Sequence, residues 1–344
     1  MPSNIIAIVG ATGKQGGSVA TTYLSTPGWR VRCLTRSPTS PSAQALAARG
    51  AELARADVDD VASLRAAFAG AAAVFAVTDF WTPMFDAGNA REAAARGVAI
   101  NEWCFELEAR RGRNLALAAA ATDGLRRFVF SSLSDTRRWS GGKYTQNWHF
   151  DSKAAVERWV REDPEVVLGG LVERTSFLQV GWYLDNWNFI KGDMKRTEDG
   201  RWYHAGLGNG ENPIPFVWTQ RDTGPLVRAL VEAEPGKSLL GYSELMSWKE
   251  YMKIWARVLG LKLAGDDGSG HKELSVEEAR EAIEGPEELK MEAVESIQYV
   301  QEFGWTGGEP GVLHPKDLGA DEHTTRVEDY ISQEDWTPLL GGTQ

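Results

Sequence analysis

His149 and Lys153 stand four residues apart in the run His149-Phe-Asp-Ser-Lys153, and on a helix that spacing puts both side chains on one face. A lysine ammonium in such a pair hydrogen-bonds a ribose hydroxyl and lowers the pKa of a neighbouring acid, while an imidazole exchanges a proton near neutral pH. Tyr144, slightly upstream, is a spare proton donor. The bland reading of the same run is a solvated lysine with Asp151 or Ser152 as a helix N-cap. The end of the preceding strand, Phe130-Ser131-Ser132, favours a site, because Ser131 or Ser132 would lie beside a reacting ring there.

A cradle for a nucleotide opens the chain. The apolar run Asn4 to Val9 leads directly into Gly10-Ala11-Thr12-Gly13-Lys14-Gln15-Gly16 and then into the helical pattern Ser18 to Leu24. Strand, glycine-rich turn and helix in that order let backbone N–H groups approach a pyrophosphate at a helix N-terminus. The second strand ends in Leu34-Thr35-Arg36-Ser37-Pro38 and lacks the acid that accepts from the ribose hydroxyls of NAD. Arg36 therefore reads as the clamp on a 2'-phosphate, favouring NADP, with Ser37 as a further donor. Asp57 either accepts from the adenine amino group or caps the helix that follows. Thr78, Asp79, Phe80 and Trp81, at the end of the fourth strand, would flank the adenosine or the nicotinamide ribose.

These residues need elements to hold them. Strands are expected at 4–9, 30–35, 51–54, 71–77, 127–131 and 166–172, with helices at 42–49, 61–68, 103–122 and 153–161. The alternation predicts a Rossmann-type, doubly wound parallel sheet of the α/β class. Beyond residue 173 the rhythm changes to a segment rich in Trp, Tyr, Gly and Asn, then to mostly helical sequence. The expected division is a dinucleotide-binding domain at 1–175 and a smaller, mainly helical lobe at 176–344, packed against the carboxyl ends of the strands. Trp182, Trp187, Trp148, Trp202, Tyr203 and Trp218 either line an apolar cleft or pack as core.

Composition narrows the class. Of 344 residues, 42% are hydrophobic and 25% charged, and the formal net charge is −11, which argues against a general nucleic-acid surface. No apolar run approaches the ~20 residues of a membrane helix, and the first strand starts so early that no signal peptide is expected. The expected location is the cytoplasm, with nuclear access also compatible. Two cysteines and five scattered histidines suggest neither a disulfide framework nor a metal site.

Together, the opening Gly-Ala-Thr-Gly-x-Gln-Gly-Gly-Ser-Val, the strand Val-Arg-x-Leu-Thr-Arg-Ser-Pro, the phrase Ala-Val-Thr-Asp-Phe-Trp and the run His-Phe-Asp-Ser-Lys resemble the NmrA-like family, an atypical branch of the short-chain dehydrogenases. The segment between Trp81 and Glu108, with Trp139 to Tyr144, is similar to the fungal members. The resemblance implies NADP contacts from Gly10 to Gln15, at Arg36, Ser37, Pro38, Thr39 and Ser40, at Asp57 and Val58, from Thr78 to Phe80, at Lys153, and in a loop of Ser176, Phe177, Leu178 and Gln179. Arg110 stands where the family has a lysine. His149 stands where ordinary short-chain dehydrogenases carry the proton-donating tyrosine.

Two functions follow from the resemblance. One is an NADP-dependent oxidoreductase acting on a hydrophobic small molecule. The other is a non-catalytic redox sensor that reports the NADPH to NADP ratio through a protein partner. Direct DNA binding is not expected, because the chain carries no DNA-binding motif.

Overall fold

The computed structural model describes residues 4–190, 193–265 and 268–341. Six parallel strands carry the first part: β1 (Asn4–Ile8), β2 (Trp29–Thr35), β3 (Glu52–Arg55), β4 (Ala73–Ala76), β5 (Arg127–Ser132) and β6 (Thr175–Val180). Ser238–Gly241 and Val312–Leu313 extend the same sheet beyond β6, giving eight strands with β4 beside β1 and β3 at the far edge. The order reverses between β1 and β4, and such a switch point opens the crevice in which doubly wound sheets bind ligands.

The strands form where buried apolar runs occur, since a parallel sheet is covered on both faces. Ala73 to Ala76 are all buried. On one face, α1 (Lys14–Leu24) packs through Val19 and Tyr23 beside the Thr219–Glu232 helix with Leu226 and Leu230. The other face carries α3 (Val61–Phe68), α6 (Ile100–Ala120) and α8 (Trp148–Glu162), represented by Leu64, Leu115 and Val156. The crossover between β2 and β3 is α2 (Pro41–Ala48), between β4 and α6 the chain forms the short helices α4 (Trp81–Met84) and α5 (Ala87–Arg96), and the single turn α7 (Thr136–Trp139) precedes α8.

Two expectations change here. The strand expected at 166–172 is replaced by a helical turn over Pro164–Leu168 and a 3₁₀ turn over Val172–Arg174. Asp163 accepts from the backbone N–H of Glu165 and Val166, and Pro164 opens the turn, a combination that starts helices. The strand itself lies later, at β6. Helix α8 also begins five residues before the expected start at Lys153, so His149 sits in its first turn.

After β6 the chain builds two three-stranded sheets, one of Trp182–Tyr183, Ile214–Val217 and Glu244–Met246, the other of Met194–Arg196, Trp202–Leu207 and His271–Leu274. The tryptophans of this region make a core. Trp202 and Trp255 are buried, Trp187 stacks on Trp336 with centroids 4.7 Å apart, and Trp182 meets Trp248 edge-on. That arrangement favours the packing alternative over a cleft for Trp182, Trp187 and Trp202.

Candidate functional site

The turn after β1 is shaped by two glycines. Gly10 has φ +68°, and a Cβ at Gly16 would lie 2.3 Å from the Gly10 carbonyl oxygen, so a side chain is excluded there and the backbone stays open. No side chain caps α1 at Gly13, which leaves the first-turn N–H groups available to an anion. Gln15 donates to the Tyr183 hydroxyl at 2.7 Å, yet its other side-chain atom, Oε1, is buried without a partner. Lys14 pairs with Asp185 at 2.7 Å. The second lobe thus touches the cradle through Tyr183 and Asp185.

At the end of β2, Arg36 is exposed and forms no salt bridge to the described residues. Thr35 Oγ1 accepts from the Ser37 backbone at 3.1 Å. Pro38 accepts from the Gln44 side chain, and Ser40 caps α2 by accepting from Ala43 N–H; Thr39 lies exposed between them. The cap of α3 is Asp60, not Asp57: Asp60 accepts from Ala62 and Ser63, whereas Asp57 accepts from Asp59 N–H at 3.0 Å. Val58 offers its carbonyl to Asn114 at 2.9 Å. Arg110 and Arg111 both turn to Asp59, at 3.4 and 2.8 Å, and the hydrogen bond from Arg111 holds the Asp59 carboxyl below its ordinary range.

The centre of the crevice gathers residues from three elements. Lys153 of α8 is buried, and its Nζ donates to the Thr78 carbonyl at 3.0 Å, to Thr78 Oγ1 at 3.2 Å and to Glu108 Oε1 at 2.6 Å. Glu108 of α6 also accepts from Ser152 Oγ. Close packing makes this reach possible: a Cβ on Gly112 would lie 2.2 Å from Val156 Cγ2, so α6 and α8 approach as they do only because Gly112 has none. Glu108 and Ser152 each stand four residues before that contact. Asp79 accepts from Trp81 and Thr82 N–H at 3.1 Å each, starting α4 and presenting Phe80 and Trp81 to the site. The His149 ring lies 4.9 Å from Trp81 and 5.9 Å from Phe80.

His149 has a partner from far along the chain. Glu292, fully buried, accepts from the His149 backbone N–H at 2.8 Å and contacts Nδ1 at 2.6 Å through the same oxygen. A carboxylate only accepts, so this contact takes its hydrogen from Nδ1 when Glu292 is the acceptor. Ser131 Oγ is buried without a partner, while Ser132 donates to Glu157 at 3.3 Å.

Three expected placements are corrected. Tyr144 is not brought to this centre; its hydroxyl donates to Glu302 at 2.8 Å, its ring meets Tyr299 and Phe303 edge-on, and burial pushes its pKa up to about 12. The expected loop at 176–179 is the interior of β6, with Ser131 in register with Leu178 and Ser132 with Gln179. Phe177 and Leu178 point into opposite core clusters, Ser176 accepts from Lys237 N–H, and Gln179 donates to Glu309 at 2.6 Å. Asp151, read as a cap of its own helix, instead accepts from Thr136 at 2.6 Å and pairs with Arg137 at 3.1 Å.

Glu108 and Glu292 are the residues that sequence reasoning missed. Glu108 interrupts an apolar helical stripe of Cys104, Gly112 and Leu115, and an acid in such a stripe is the signal for a buried partner. Among the described residues no group of three or more His, Cys, Asp or Glu side chains is placed to hold a metal, and no helix is long and apolar enough to cross a membrane.

The NmrA-like family profile matches residues 2–330. The chain is 30% identical over 273 residues to the NmrA-like family domain-containing oxidoreductase hkm9 of Aspergillus hancockii, covering 76% of this chain and 74% of that protein. It is also 30% identical to the corresponding oxidoreductase FrzB of Cladobotryum sp, covering 75% and 74%. Among solved structures, NmrA, a negative transcriptional regulator, in complex with NADP superposes with a TM-score of 0.73 at 18% identity, covering 100% of this chain and 99% of that one. The NADPH-dependent quinone oxidoreductase QOR2 of Escherichia coli gives a TM-score of 0.63 at 20% identity, covering 95% and 98%. With the cradle, the switch point and the buried lysine in place, the chain belongs to the NmrA-like family.

Proposed function

We propose that the protein is an NADP(H)-dependent oxidoreductase acting on a hydrophobic small molecule. The observation that carries this reading is the convergence of Lys153, Thr78, Glu108 and His149 beside the switch point into which the glycine turn opens. The N–H groups from Gly10 to Gly16 would hold the pyrophosphate, and Arg36 with Ser37 would take the 2'-phosphate. Asp57 and Val58 would border the adenine, and Thr78, Ser131 and Lys153 would border the nicotinamide ribose. The cradle that a Cβ would fill and the unpaired Gln15 Oε1 and Ser131 Oγ fit such a ligand. When bound, NADPH supplies a hydride. His149 then delivers a proton from Nε2 to the substrate atom that gains charge, and Lys153, anchored on Glu108, orients the ribose.

A row of aromatic rings runs outward from His149. Trp81 contacts Phe189 at 6.3 Å, and Phe189 contacts Phe85 at 5.9 Å; these last two are 59% and 55% exposed. Such a patch favours an apolar ligand. It also favours a second reading, a redox sensor whose partner covers Phe85 and Phe189. The test is NADPH oxidation by the purified chain with a panel of quinones, enones and aldehydes. Turnover with any member supports the oxidoreductase; NADPH binding without turnover, with a partner captured only in one cofactor state, supports the sensor.

A further inference from the structure

One face of the Glu287–Phe303 helix holds the segment that leads into α8. Glu292, Glu295, Tyr299 and Glu302 are spaced by three, four and three residues, so their side chains share a stripe. Tyr299 Oη lies 2.6 Å from Ser134 Oγ. Glu302 accepts from the Tyr144 hydroxyl at 2.8 Å and from Lys143. Glu295 accepts from the Gln146 backbone N–H. Glu292 completes the series at His149. Each contact spans more than 140 positions of sequence.

The last contact replaces something α8 lacks. Asn147, the N-cap residue, makes no side-chain capping bond, so the first-turn N–H groups need an acceptor from elsewhere. Glu292 supplies it, and a carboxylate at a helix N-terminus is favoured by the helix dipole. Because the same oxygen receives the backbone N–H and the imidazole Nδ1–H, backbone and ring are fixed together. Ring rotation about the side chain would break the second bond while the first persists.

We propose that Glu292 is the positioning residue for His149: it holds the imidazole as the Nδ1–H tautomer and keeps Nε2 as the proton-exchanging nitrogen. This rests on the reading of His149 as the proton donor. In the step, doubly protonated His149 releases the Nε2 proton to the substrate heteroatom and returns to the neutral ring with Nδ1–H still on Glu292. A helix of the second lobe thereby becomes part of the proton-transfer machinery.

The test is ¹⁵N NMR of the full-length chain labelled at histidine, with His149 assigned by His149→Gln. The neutral ring is expected to show a protonated Nδ1 and an unprotonated Nε2. In Glu292→Leu the Nδ1–H pattern disappears and kcat for NADPH oxidation falls about tenfold or more, as tautomer loss does in histidine-dependent hydrolysis, with KM for NADPH unchanged. Glu292→Gln, which keeps an acceptor oxygen, retains the pattern and most of kcat. An Nε2–H tautomer in the wild type, or an unchanged spectrum in Glu292→Leu, overturns the proposal. Should Glu292→Leu fail to fold, the wild-type tautomer and the Glu292→Gln spectrum decide. A chain that shows the Nδ1–H pattern but never oxidises NADPH refutes the oxidoreductase reading and leaves the positioning of the ring standing.

Discussion

Lys153 Nζ lies 2.6 Å from Glu108 Oε1, with the carboxylate side chain fully buried and the ammonium side chain only 10% exposed. Neither charge has a second ion-pair partner among the described residues. Lys153 also donates to Thr78, and Glu108 also receives Ser152, so the pair ties β4, α6 and α8 into one unit at the centre of the site.

Removing one member leaves the other charge buried, which costs about 3–5 kcal/mol. Glu108→Ala is therefore expected to lower stability by that amount in urea unfolding, and Lys153→Ala by a similar amount. The double variant is expected to lose clearly less than the sum of the two, because no buried charge is stranded. Additive losses would show that the two side chains do not act as a pair.

The legible part of this site was the part fixed locally. The turn from Gly10 to Gly16 and the placement of His149 and Lys153 on one helix follow from short spacings; β1, β4 and β5 announce themselves as apolar runs, and β2 as an alternation of Arg30 and Arg32 with Val31 and Cys33. Partners from distant elements leave almost no local trace. Glu292 is one acid among many in an acidic helix, and only the fold shows that it faces His149. Tyr144 looked available because its position in sequence is close to His149; the helix bearing Glu302 draws it away. The strand at 166–172 failed because Val166 and Val167 have the composition of a strand, while Asp163 and Pro164 supply a stronger local signal for a helical start.

Arg36 stands exposed at the end of β2 with Ser37 beside it. Arg36→Ala is expected to weaken NADPH binding about 10- to 100-fold, the loss of one charge-assisted phosphate contact of about 1.5–3 kcal/mol, and to change NADH binding little. Calorimetric titration with both cofactors checks this. Equal loss for the two removes the 2'-phosphate clamp.

His204 gives the second lobe an acid-sensitive point. Its ring stacks on Trp248 at 3.8 Å and contacts His271 Nδ1 at 3.1 Å, and burial, followed by the His271 charge, lowers its pKa from 6.5 to about 3. Between those values the unfolded chain binds the proton and the folded chain does not, so stability falls as pH drops below 6.5. His204→Phe keeps a flat ring and removes the titration. Urea midpoints at about pH 7 and about pH 4.5 are expected to differ less in the variant than in the wild type. An equal drop in both chains would place the acid lability elsewhere.

On the proposed mechanism, reduction takes place where His149 and Lys153 meet the nicotinamide. The direct measurement is transfer of deuterium from NADPH carrying deuterium at both positions of nicotinamide C4 to the product of a turned-over enone or aldehyde, where the new C–D bond does not exchange with water, followed by mass spectrometry in the wild type and in His149→Ala. One deuterium per product molecule is expected in the wild type. In His149→Ala the rate is expected to fall about 100-fold or more, with the NADPH dissociation constant unchanged. Tight NADPH binding with no deuterium in any product, or a wild-type rate in His149→Ala, would contradict this mechanism.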